Sequence, residues 1–160
     1  MAYHHDLLQQ ARRLAHQESK RPKQASLRRA VSTAYYALFH YLVAEAVANW
    51  RQVELRAAFS RGFEHNMMKA ASNRVQDRNQ FPFTGESPEV VATLKAVAKT
   101  FVHLQDKRHI ADYDNATIWT RTQAVDLLNA ADRAIHGWAS IRHEQIAQSY
   151  LLSMIVKKRD

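Results

Sequence analysis

Cysteine is absent from this 160-residue chain, and glycine and proline occur only three times each. Without thiols there are no disulfides, no thiolate metal ligands and no cysteine nucleophile, and the chain suits a reducing compartment such as the cytoplasm. No apolar run approaches the roughly 18–20 residues that a membrane span needs, so no membrane partner is expected. The opening Met-Ala-Tyr-His-His-Asp lacks the charged and apolar regions of a secretory signal. A Gly-rich phosphate loop, a nucleophile elbow and a His-Glu-x-x-His pair are missing too, despite nine histidines. No metal and no cofactor are expected.

What the chain does have is helical periodicity. Alanine-rich segments repeating every 3.6 residues run along most of it, with little glycine or proline to interrupt them. The reading is all-α: one domain over 1–160, an antiparallel up-down bundle of five to six helices. The spacing predicts a first helix over 3–18, a second over 22–49 and a third over 51–72. A polar stretch over 73–86 then contains Phe81-Pro82-Phe83 and Gly85 and reads as a loop. Ser87-Pro88-Glu89 starts the fourth helix with a capping hydroxyl, a first-turn proline and an acid. Thr117 or Thr120 caps a fifth, which Gly137 bends or breaks. The apolar segment Ile146 to Val156 packs on the bundle or on a second subunit, and the basic run Lys157-Lys158-Arg159 favours the dipole of a helix end.

Two stretches stand apart. In the second helix, Leu27, Val31, Ala34, Tyr35, Leu38 and Leu42 fall on one core-facing side. Arg29, Thr33, Tyr36 and His40 line the opposite side, on a helix that is apolar nearly all round from Ala34 onward. Such a polar file either plugs into partners or lines a site. In the fourth helix, Val90, Leu94, Val97, Phe101 and Leu104 make a core seam whose next two positions are Arg108 and Asp112. Burying these charges is costly unless they are paired. Two readings stand open. The pair is a structural closure of the bundle end, or it is a site completed by His109, Tyr113, Asp114 and by Arg29, Tyr36 or His40. A secondary basic face is expected on the third helix, from Arg61, His65 and Lys69 at i, i+4 and i+8, opposite Phe59, Phe63, Met67 and Ala70. Trp50, Trp119 and Trp138 are assigned to packing.

With 23 Lys plus Arg against 15 Asp plus Glu, the net charge is +8. That favours polyanions, because each neutralised phosphate releases counterions.

The run Arg28-Arg29-Ala30-Val31-Ser32-Thr33-Ala34-Tyr35-Tyr36-Ala37-Leu38-Phe39-His40 is followed about seventy residues later by Arg108-His109-Ile110-Ala111-Asp112-Tyr113-Asp114. Together they resemble the HEPN superfamily, in the branch with an Ala-Tyr-Tyr-Ala-x-Phe-His second helix and an Arg-x-x-Ala-Asp-Tyr-Asp end to a later one. Phe63-Glu64-His65-Asn66-Met67-Met68-Lys69 is similar to a segment of relatives of like length. The resemblance implies a helical bundle, a homodimer, and association with RNA, nucleotides or a nucleotidyltransferase partner, as in toxin–antitoxin or defence systems. It also implies, for many members, metal-independent RNase chemistry by an Arg followed by a His after four to six residues. This chain departs from that motif: no Arg has a His at that distance, and Asp112 and its neighbours stand where the imidazole belongs. The reading is therefore a binding or regulatory module without the standard cleavage chemistry. The alternatives are an RNase in which Arg108 works with His40 or His109, and a non-binding helical adaptor.

Overall fold

The computed structural model describes residues 2–157 and is helical throughout, with no strand among the described residues. It has seven α-helices: α1 Tyr3–Ala15, α2 Gln24–Ala48, α3 Arg56–Ser60, α4 His65–Val75, α5 Pro88–Tyr113, α6 Arg121–Ile141 and α7 Gln145–Ser153. A single 3₁₀ turn, Val53–Leu55, precedes α3. Lys157 is exposed, whereas Lys158 and Arg159 of the expected basic end lie outside the described residues.

Side-chain contacts fix the directions of the long helices. The start of α1 meets the end of α2, through Tyr3 on His40 and His4 on Tyr41. The start of α2 meets the end of α5, where Arg28 bonds the carbonyl of Ala111. Helix α6 begins beside the end of α1, where Arg121 bonds the carbonyls of Ala15 and Glu18. It ends beside the end of α2, where Trp138 and Arg142 bond Glu45. Helix α1 therefore runs antiparallel to α2 and α6, and α5 antiparallel to α2 and α6, while the packed pair α2 and α6 run parallel. None of the helices is long and apolar enough to cross a membrane.

The core follows the periodicity in α2, α5 and α6, but not in α4, which buries Met68, Ala71 and Val75 while Met67 of the expected face is half-buried and Ala70 exposed. Leu27, Val31, Ala34, Tyr35, Leu38 and Leu42 of α2 are fully buried, as are Leu94, Phe101 and Leu104 of α5 and Leu128, Ala131 and Trp138 of α6. Helix α7 buries Ile146, Tyr150 and Leu151 on the bundle, and the Tyr150 hydroxyl meets Ser72 Oγ at 2.7 Å. Thr120 caps α6 in a reciprocal box with Gln123, and Ser87 caps α5.

Three expectations need correction. The third helix is not continuous over 51–72. The chain turns at Gly62, whose amide bonds the Phe59 carbonyl, and Phe63 folds into the core before α4 starts at His65. Glycine there weakens the helix, and a buried Phe63 outweighs its continuation. This split raises the helix count from five or six to seven. The first helix stops at Ala15, because Arg121 takes the carbonyl of Ala15 and Glu18 turns back to bond Lys23 N and Ser26 Oγ. Gly137 does not break α6. It sits against α5, where a Cβ would lie 3.4 Å from the Thr93 methyl.

Candidate functional site

The site forms where α2, α4 and the last turns of α5 meet. Arg28 latches the end of α5 onto α2: its guanidinium donates to the carbonyls of Ala111, Asp114 and Thr117 at 2.9, 2.7 and 2.6 Å. Those carbonyls have no helical donor of their own, so a cation there is doubly favourable. One turn further along α2, Ser32, Tyr35 and Tyr36 face Arg108 and Asp112.

Arg108 lies over the rings of Tyr35 and Tyr36, with its guanidinium carbon 5.2 and 5.9 Å from their centroids. Its side chain is 13% exposed, and Asp112, one turn on, is 30% exposed. The ion pair is long, with Nη1 to Oδ2 at 3.6 Å, and Arg108 Nε is buried without a hydrogen-bond partner. Asp112 also accepts a long bond of 3.4 Å from Ser32 Oγ. A cation partly removed from water and loosely paired is attracted by the ring faces and remains available to an incoming anion.

His65, the first residue of α4, completes the cluster. Its Nδ1 lies 2.6 Å from the Tyr35 hydroxyl, and its ring packs 4.4 Å from Phe39 and 5.9 Å from Tyr36. Burial pushes the Tyr35 phenol well above its ordinary range, so it keeps its proton, and the hydroxyl and Nδ1 share one hydrogen bond. Burial first, then the positive charge of Arg108, then His40 hold the His65 pKa below its usual 6.5. Neutral His65 therefore has one ring nitrogen as a donor and the other as an acceptor, and the tautomer sets which of the two faces Tyr35. His40 is held below 6.5 by burial and lies 6.1 Å from Tyr36 with the two rings nearly stacked.

Of the residues singled out from the sequence, Arg108, Asp112, Tyr36, His40 and His65 come together. Arg29 does not: it is exposed, with no bond to its side chain among the described residues. His109 is exposed and packs on Tyr113, which is itself 68% exposed. Asp114 is a turn residue whose carboxylate accepts from Ala116 N and Thr117 Oγ1. The basic face expected from Arg61, His65 and Lys69 does not exist as one face, because the turn at Gly62 separates Arg61 from α4. Arg61 is exposed, His65 turns into the cluster, and Lys69 pairs with Asp106 at 2.5 Å. Sequence reasoning placed Tyr35 in the core and overlooked Ser32. The signal for Tyr35 was its hydroxyl, which a buried position obliges to find a partner.

Beside the cluster a cleft of about 430 Å³ opens between α4 and α5, lined by Asn66, Lys69, Gln105, Asp106, Arg108 and His109. Among the described residues no three His, Asp or Glu side chains are placed to hold a metal ion. The arrangement offers a guanidinium, an imidazole and aromatic faces to a ligand: a donor fork and π surfaces for a phosphate and a base. Among known proteins, no family model, no curated protein and no solved structure matches this chain.

Proposed function

We propose that this protein is a binding or regulatory module of HEPN type that holds RNA, or a nucleotide-bearing partner such as a nucleotidyltransferase, without cutting it. In this reading it acts as a cytoplasmic homodimer in a toxin–antitoxin or defence setting. The observation that carries it is the state of Arg108: mostly buried, seated on two tyrosine rings, and only loosely paired with Asp112. The net charge of +8 supplies the long-range attraction.

The test is binding of a labelled RNA at several salt concentrations, with and without EDTA. Affinity falls steeply with salt in the wild type, and Arg108→Ala lowers both the affinity and the slope, the slope by about one. Metal-free cleavage by the wild type that Arg108→Ala abolishes would show the non-cleaving reading to be wrong.

One observation favours a second reading, a metal-independent RNase with a rearranged site: an imidazole does stand in the Arg108 cluster, that of His65. In that case His65→Ala, and not His109→Ala, removes cleavage.

A further inference from the structure

The cluster does not end at Tyr36. Tyr3, the first residue of α1, packs its ring on His40 at 4.9 Å. His40 continues to Tyr36 at 6.1 Å, and Tyr36 to the guanidinium of Arg108 at 5.9 Å. Three helices thus contribute one unbroken row of π-faced groups, ordered Tyr3, His40, Tyr36, Arg108. Tyr3 is 59% exposed, and its hydroxyl takes part in no hydrogen bond among the described residues. Isolated exposed aromatics are ordinary on protein surfaces. A row with a cation at one end is a different object: its outermost ring, Tyr3, is tilted 60° from His40 and mostly exposed, and the row leads from it to a guanidinium.

We propose that this row is a stacking platform for unpaired RNA, with a base laid on Tyr3 and a phosphate further along the strand at Arg108. The inference rests on the RNA-binding reading above and narrows it to single strands. A duplex keeps its base faces stacked inside and shows a protein only edges, sugars and phosphates. Ring faces are therefore useful only to a strand whose bases are free, and they tolerate any base because every base has a π face. His40, neutral at neutral pH because burial lowers its pKa, adds ring surface to the row without adding charge.

Three probes of equal length and phosphate number separate the terms: a single-stranded RNA, the same sequence as a duplex, and an abasic strand. Binding is followed by fluorescence anisotropy at one salt concentration. The single strand binds at least tenfold more tightly than the other two. Tyr3→Ala, at an exposed helix start, weakens the single strand roughly five- to a hundredfold, leaves the abasic strand unchanged, and is rescued by Tyr3→Phe. The inference is overturned if the abasic strand or the duplex binds as tightly as the single strand, or if Tyr3→Ala changes nothing. With those results, persistence of the salt and Arg108 dependence leaves the functional reading standing. Failure of all three probes to bind overturns both.

Discussion

Arg108 shows how one charged side chain is made both tolerable and usable. Its position continues an apolar seam, and the sequence pattern alone marks it as a charge that must find company. What the pattern could not give is how weak that company is: Asp112 sits at 3.6 Å and is partly wet. Partly exposed ion pairs contribute about 1 kcal/mol or less. Asp112→Asn is therefore expected to lower the unfolding free energy from urea titration by less than that amount, while tightening RNA binding severalfold by removing a competing anion. A loss of several kcal/mol in unfolding free energy would make the pair a structural closure of the bundle. His65 was not legible as a member of this cluster, because its direction depends on a helix register that the turn at Gly62 resets. Tyr35 was legible as buried, but the partner of its hydroxyl lies thirty residues away on another helix.

At the scale of elements, periodicity located α1, α2, α5 and α6 to within a few residues, since each has an apolar stripe long enough to outvote local irregularity. It failed on the segment 51–72, where a short apolar pattern fits one helix or two equally well and burial of Phe63 decides. It also overstated the effect of Gly137, which α6 passes through without interruption. That glycine gives a direct measurement. A Cβ there meets Thr93 Cγ2 at 3.4 Å and Val97 Cγ2 at 3.8 Å, which are ordinary van der Waals distances. Gly137→Ala should then raise stability by about 0.5–1 kcal/mol, read as a higher melting temperature, because alanine loses less freedom on entering a helix. A lower melting temperature would mean that α5 and α6 need the bare backbone to approach.

For the whole molecule, charge and protonation set the response to conditions. His4, His40 and His65 all have folded-state pKa values below 6.5, with burial the largest cause in each. The unfolded chain therefore binds more protons than the folded one as pH falls below 6.5, and stability drops in that direction. The lowered carboxylates Glu18, Glu86 and Asp114 act only further down, below their ordinary 4.5 and 3.8. Thermal melts should be flat from about pH 8 to 7 and decline from 6.5 towards about pH 5. The double variant His40→Gln, His65→Gln should remove most of that decline and keep the acid one below pH 4.5. A decline of unchanged steepness in the variant would place its origin elsewhere in the chain.

The i, i+4 placement of Asp112 has a consequence for exchange. Arg108 carries its counter-ion on its own helix, so a visiting anion that takes the carboxylate's place separates no two helices from each other. Among the described residues, only the long bond from Ser32 ties that carboxylate to another helix, while the Arg28 clamp and the buried apolar layers lie outside the swap. Loading and release can proceed as a trade between two oxygens at one guanidinium, with the scaffold at rest.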